Sequence, residues 1–135
     1  MAVKLSMPTL LPLVWAAYMA KELQAQTPGT PNDHCNYDGP CAIGVGIPET
    51  QRARLDRSDS PEITFLIRDG KIRISDGESV TEYGKLQTAH DAWTYKRHRG
   101  PESAAESEEN FVAYLKTLSN KYGVEIPDGG DIALQ

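Results

Sequence analysis

The feature that most restricts the fold of this chain is a loop-forming segment near its N-terminus. Residues 27–40 read TPGTPNDHCNYDGP and contain three prolines and two glycines. Proline removes a backbone donor, and clusters of proline, glycine and Asx residues mark loops, so neither a helix nor a strand continues through this segment. It therefore separates one N-terminal apolar segment from everything that follows. Loops of this length inside compact domains are often functional.

Apolar residues on both sides of this loop recur at helical spacing. In the first segment Leu10, Leu13, Ala17 and Ala20 fall on one face, and we expect that face to be buried. Ser79 and Glu82 have the spacing of a capping box, which predicts a helix start. Two further helices have an apolar face that we expect to be buried: Tyr83, Leu86, His90 and Trp93 in the first, and Phe111, Tyr114, Leu115, Leu118 and Tyr122 in the second. The predicted organisation is a helix at 8–26, a loop at 27–40, short helical turns at 41–58, a helix at 80–97, a linker at 98–106, a helix at 107–123 and a tail at 124–135.

Residues 60–75 fit two structures. As a helix, the segment has Pro61 in its first turn, and Ile63, Leu66 and Ile67 face inward. As a β-hairpin, it alternates apolar and polar residues on both sides of a turn at Asp69-Gly70. The fold class that we predict is mainly α: a compact single-domain bundle of four to five helices, with one short β-hairpin, an α+β fold, as the alternative.

The first 26 residues also resemble a signal peptide, with one early lysine before an apolar run from Leu10 to Ala20. We favour a helix of the folded domain, because Trp15 and Tyr18 interrupt the run. The run is too short to span a bilayer, so we expect no membrane association.

The net charge and the number of cysteines reduce the range of functions to be considered. The 135 residues carry a net charge of −5, whereas nucleic-acid binding needs a basic face, so we expect no nucleic-acid partner. Only two cysteines are present, and a bridge across so short a loop adds little stability. We therefore expect two reduced thiols, a cytoplasmic location and no cofactor.

Cys41 is the first candidate for chemistry. It follows Pro40 at the predicted start of a helical turn, where the helix dipole would favour a thiolate. His90 is the candidate partner for a catalytic Cys–His pair. Cys35, Cys41 and His90 are alternatively candidate ligands of a structural zinc ion. The third interpretation is that Cys41 is a small buried residue that only packs.

Basic residues form two clusters that could contact an acidic partner. The candidate partner-binding residues are Arg52, Arg54, Lys96, Arg97 and Arg99. The alternative is that they are solvated helix ends that complement the helix dipole. The sequence contains no Walker loop, HExxH, GxSxG or GxGxxG motif.

Several short motifs occur in a fixed order: C-N-Y at 35–37, C-A-I-G at 41–44, I-P-E at 47–49, a leucine before Asp56, and L-Q-x-x-H-D at 86–91. In this the chain resembles a group of small phage and prophage proteins of uncharacterised function, over about residues 8–122. The resemblance implies that the first helix belongs to the fold. It also implies that Cys35, Cys41, His90 and Asp91 form a set.

The functional expectation is a small phage-type accessory protein that binds a host or viral protein. One such role is inhibition of a host defence system, as an anti-CRISPR protein does. The alternatives are a thiol-dependent enzyme that uses Cys41 and His90, and a zinc-binding domain that uses Cys35, Cys41 and His90.

Overall fold

A computed structural model describes residues 2–23, 37, 41–58, 62–96 and 101–127, without the side chains of residues 94–96, 101 and 103. The mainly helical prediction is confirmed. In chain order the elements are β1 (Val3–Leu5), α1 (Met7–Met19), a 3₁₀ turn (Gly44–Gly46), α2 (Glu49–Asp56), α3 (Ile63–Arg68), β2 (Ile72–Ile74), α4 (Val80–Lys96) and α5 (Pro101–Tyr122).

In the ambiguous segment 60–75, the described residues 62–75 form a helix followed by a strand. α3 ends at Arg68, and Gly70 then adopts a left-handed φ of 78°, which a residue without a side chain tolerates. The helix interpretation is therefore confirmed at Ile63–Arg68. β2 pairs in parallel with β1, with Val3 opposite Ile72, so the hairpin given as the alternative does not form. The alternating isoleucines did indicate a strand, but its partner lies at the N-terminus of the chain rather than next to it.

The predicted inward face of α1 is correct at Leu10, which is buried, and wrong at Leu13, which is 43% exposed. Ala17 is half-buried, and Ala20 lies beyond the helix, which ends at Met19 rather than at residue 26. The aromatic side chains decide the rotation of the helix, because burying Trp15 and Tyr18 removes more apolar area from water than burying leucine or alanine. The buried residues of α1 are Met7, Leu10, Leu11, Val14, Trp15 and Tyr18.

Two buried hydrogen bonds fix α1 against α5. The Trp15 indole N–H donates to Ser119 Oγ at 2.9 Å, and the Tyr18 hydroxyl donates to Glu108 Oε2 at 2.6 Å. Both polar groups would be costly to bury without partners, so these bonds allow the two aromatic side chains to enter the core.

α4 and α5 form the central helix pair. The predicted inward face of α4 is confirmed, since Tyr83, Leu86, His90 and Trp93 are all buried. On α5 the side chains of Phe111, Leu115 and Leu118 are buried, while Tyr114 and Tyr122 are half-buried. α5 begins at Pro101, so the predicted linker 98–106 is wrong from that residue onward. Proline suits the first position of a helix, and Glu102 follows it in the first turn.

Glu82 joins the N-terminus of α4 to the C-terminus of α5. Its Oε1 accepts a hydrogen bond from the Tyr122 hydroxyl at 2.5 Å, and its Oε2 accepts one from Lys121 Nζ at 2.7 Å. Both carboxylate oxygens of Glu82 therefore accept hydrogen bonds from α5. They do not serve the capping box that was predicted with Ser79.

Burial would raise the pKa of Glu82, but the hydrogen bonds from Lys121 and Tyr122 and the charge of Lys121 outweigh it. The pKa of this carboxyl lies below its ordinary value as a result. A carboxyl whose pKa is lower in the folded chain stabilises the fold above the pKa of the unfolded chain. That contribution is lost as the pH falls through the lower, folded-state value.

We expect Glu82→Gln to lower the free energy of unfolding at pH 7 by about 1 kcal/mol, because a charged acceptor of two hydrogen bonds is removed. Between about pH 5 and pH 3 the stability of the variant should then fall less steeply than that of the wild type. Urea denaturation at several pH values measures both effects.

Glu109→Gln is the matched control, because Glu109 is an exposed residue of α5. Its stability should follow the wild-type curve across the same range. Parallel curves for Glu82→Gln and the wild type would contradict this account of the helix pair.

Candidate functional site

Cys41 is fully buried three residues before the 3₁₀ turn, and the N–H of Gly44, the first residue of that turn, donates to its sulfur at 3.3 Å. It is disulfide-bonded. The expectation of two reduced thiols is therefore wrong. Cys35, the other cysteine of the chain, lies outside the described residues. A disulfide sulfur is neither a thiolate nucleophile nor a thiolate ligand, so both the thiol-enzyme and the zinc hypotheses require a reduced Cys41.

His90 lies in an aromatic cluster of the core. It is fully buried, with its ring 6.0 Å from that of Trp93 and 5.5 Å from that of Phe111, measured between centroids. Its neighbour Asp91 is half-buried and lines a surface cavity, as expected for adjacent residues of a helix, whose side chains diverge. Within the part of the chain that the structure describes, no three His, Cys, Asp or Glu side chains are grouped as metal ligands would be.

The candidate partner-binding arginines of α2 have contacts within the chain. Arg52 is half-buried and its Nε donates to the Ile47 carbonyl at 2.9 Å, whereas Arg54 is exposed and donates to Gln51 at 2.9 Å. Arg97 and Arg99 lie outside the described residues, as does the side chain of Lys96. Partner binding by this basic set stays a prediction.

The short sequence motifs meet instead around Tyr37, a residue that the sequence analysis did not select. Tyr37 is fully buried, and its N–H donates to Asp56 Oδ1 at 2.8 Å. Gln87 Nε2 donates to the Tyr37 hydroxyl at 3.1 Å, and Gln87 Oε1 accepts from the Ile63 N–H at 3.0 Å. One buried amide thus connects Tyr37 to α4 and to the first residue of α3. We call Tyr37, Asp56, Gln87 and Gly44 the Tyr37 cluster.

Gly44 belongs to this cluster because it lets the 3₁₀ turn lie directly against Tyr37. A Cβ at position 44 would be 2.3 Å from the Tyr37 carbonyl oxygen, which is a backbone atom and has little freedom to move. The glycine of the C-A-I-G motif is therefore required by packing. One feature of the sequence could have pointed to Gln87. The glutamine of L-Q-x-x-H-D precedes His90 by three positions, so the two side chains lie on nearby faces of one helix.

Burial raises the pKa of Tyr37; the hydrogen bond from Gln87 opposes this, and the carboxylates of Asp56, Asp91 and Glu62 add to it. The pKa ends well above its ordinary value, and the phenol remains neutral at physiological pH. A neutral, buried, hydrogen-bonded phenol suits a structural role rather than that of a nucleophile.

An open cavity with a volume of about 1000 Å³ lies along α4, and we call it the trough. Most of its lining residues belong to α4, and we call them the floor; we call the lining residues at the start of α3 and those on α5 its two walls. Gly84 lets α3 come close to α4, because a Cβ there would be 2.9 Å from Thr64 Cγ2. The floor includes Thr81, Gly84, Lys85, Thr88 and Ala92, the α3 wall Glu62 and Thr64, and the α5 wall Ser107, Asn110 and Tyr114.

The trough is suited to contact rather than to bond-making chemistry. Gly84, Thr88 and Ala92 are four residues apart, so small side chains run along one face of α4. Charged groups lie around them: Lys85 and Asp91 on α4, and Glu62 directly before α3. Both carboxylates also help to raise the pKa of Tyr37.

Comparison of the chain with protein-family models, with curated proteins and with solved structures finds no match. Among the described residues, no helix combines the length and the apolar character needed to cross a membrane.

The Tyr37 cluster predicts different outcomes for two neighbouring glycines. Gly44→Ala should lower the free energy of unfolding by about 2–3 kcal/mol, because backbone must move to admit the new methyl group. Gly46→Ala should lower it by less than about 1 kcal/mol, because its Cβ would meet the end of a flexible side chain, Leu10 Cδ1, at 2.6 Å. Chemical denaturation of both variants measures the difference. Equal losses would contradict the role given to Gly44.

Proposed function

We propose that this protein acts by binding another protein, and that the trough along α4 receives an α-helix of that partner. The observation that carries the proposal is the trough itself: an open cavity of about 1000 Å³ with a floor of small residues between two helical walls. Small residues on a helix let a second helix approach closely, and a helix lying in a groove is a common mode of recognition between proteins.

The volume fits a helical segment. A cylinder about 10 Å across, the width of a helix with its side chains, fills about 1000 Å³ when it is about 13 Å long, which corresponds to about two turns. Small molecules favour cavities that enclose most of their surface. An open trough suits a segment that belongs to a larger partner.

The mixed charge of the trough favours a partner that associates with this chain and dissociates from it, rather than a permanent subunit. Lys85, Glu62 and Asp91 give it a mixed, partly charged surface, as is usual where proteins associate and dissociate. The carboxylates of Glu62 and Asp91 favour a basic side chain on the partner, and the net charge of −5 adds to this preference over longer distances. We therefore expect a partner helix with small residues along its contact face and a lysine or arginine beside them.

The class of partner comes from the resemblance to phage and prophage proteins, which favours a host or viral protein and a role such as inhibition of host defence. A cytoplasmic location belongs to that expectation. The disulfide at Cys41 is more typical of an oxidising compartment. The described residues give no observation that favours the thiol-enzyme or zinc alternatives.

The test introduces a large charged side chain on the floor of the trough. The partner is captured from lysate of the source cells with the wild-type chain, identified and purified, and its affinity is measured by calorimetry. Thr88→Arg should weaken binding at least tenfold, because the arginine would occupy the space of the partner helix.

Ala113→Arg is the matched control, since Ala113 is a small exposed residue of α5 that does not line the trough. Its affinity should stay within about twofold of the wild type, which is about 0.4 kcal/mol. Equal affinities for the two variants, with the fold of both confirmed by circular dichroism, would contradict binding at the trough.

A further inference from the structure

Two basic side chains lie next to each other on the exposed face of the two-stranded sheet. The parallel register places Lys4 of β1 beside Arg73 of β2, and we call these two residues the basic pair. Both are exposed, whereas Val3, Leu5 and Ile72 are buried, so the two charges share the outer face. Like charges side by side on one face of a sheet repel each other. Among the described residues, neither side chain has an acidic partner in a salt bridge.

A small cavity with a volume of about 250 Å³ opens beside Lys4. The other polar side chains that line it carry hydroxyl groups: Ser6, Thr9 and Ser75. Ser6 Oγ donates to Thr9 Oγ1 at 3.0 Å, so the Thr9 hydroxyl keeps its own proton for another acceptor. Of the described residues that line the cavity, none has a carboxylate. The cavity thus combines hydrogen-bond donors with a positive charge.

The N-terminus of α1 adds little positive charge to the cavity, because its first turn is already occupied. The Met7 N–H donates to Glu78 Oε2 at 2.9 Å, and Pro8 has no N–H. Glu78 Oε1 accepts a second hydrogen bond, from the Tyr83 hydroxyl. Neither Glu78 nor Asp76, the acidic residues that follow β2, lines the cavity. An anion in the cavity would therefore be held by the basic pair rather than by the helix dipole.

We propose that this cavity binds the phosphate group of a small phosphate monoester. At neutral pH such a group carries about two negative charges on three acceptor oxygens. The basic pair and the three hydroxyl groups match both its charge and its number of acceptors, whereas a carboxylate has one charge and two oxygens. The cavity is smaller than the roughly 300–1000 Å³ of sites for drug-sized molecules, so a small ligand suits it.

Arg73 is within reach of the cavity, although it does not line it. Neighbouring strands lie about 4.8 Å apart, a distance shorter than an arginine side chain. The guanidinium fork can donate two hydrogen bonds to the phosphate while the Lys4 ammonium donates to another oxygen. Lysine on an edge strand also discourages pairing with other chains, but that role requires neither a cavity nor hydroxyl donors. None of the described residues that line this cavity also lines the trough, so the site does not depend on a partner helix.

The test is a titration of the wild-type chain at constant ionic strength, followed by its amide signals in nuclear magnetic resonance spectra at about pH 7.5, where phosphate is mostly a dianion. Inorganic phosphate and glycerol phosphate, each up to about 50 mM, should shift the amide signals of Ser6, Thr9 and Ser75 with a dissociation constant of about 5 mM. Acetate should give no saturable shift at these residues. Lys4→Gln and Arg73→Gln should each weaken phosphate binding at least fivefold.

Lys71→Gln is the matched control, because it removes the same charge next to β2. Lys71 does not line the cavity, and its Nζ donates to Ser58 Oγ at 3.4 Å. The affinity of this variant for phosphate should stay within about twofold of the wild type. Equal losses in all three variants would indicate general attraction by the surface and would overturn the site, as would a wild type without saturable shifts. A phosphoserine peptide that binds at least tenfold more tightly than glycerol phosphate would overturn the small ligand and assign the site to a phosphorylated protein.

Discussion

Gln87 is buried in the middle of α4, where its amide needs partners for both its oxygen and its nitrogen. It finds them in two separate parts of the chain, the Ile63 N–H at the start of α3 and the hydroxyl of Tyr37. A buried polar group without a partner costs about 1–3 kcal/mol, so this amide strongly favours the one arrangement that satisfies it. The position of α3 beside α4 follows, and with it one wall of the trough.

The inward face of a helix could be predicted from the sequence where the apolar residues fall on one side of that helix. α4 and α5 have such stripes, and the inward faces predicted for them are the ones observed. α1 could not be oriented in this way, because nearly all of its residues are apolar and periodicity alone does not select a face. The partners of Trp15 and Tyr18 decide its rotation, and they lie about a hundred positions away, on α5. The pairing of β2 with β1 also joins residues far apart in sequence, Val3 with Ile72.

For the candidate site, the sequence analysis could identify the short motifs that contribute to it but not the residues that meet there. The sequence analysis selected Cys41 and His90 because their side chains can do chemistry. The structure joins Tyr37, Gly44, Asp56 and Gln87 by hydrogen bonds and packing, and these are less reactive residues of the same motifs. Tyr37 and Gln87 are fifty positions apart, and neither composition nor spacing indicates such a pair. The state of Cys41 could not be predicted either, since two cysteines are compatible with reduced, bridged and metal-bound forms.

The residues of the short motifs hold the helices of this molecule in place. The most direct test of that claim is a double-mutant cycle on Tyr37 and Gln87, with Tyr37→Phe, Gln87→Leu and the double variant unfolded in urea. We predict a coupling of about 0.5–1.5 kcal/mol between the two substitutions, because each removes one side of the same buried hydrogen bond. Effects on the free energy of unfolding that add to within about 0.3 kcal/mol would contradict the account.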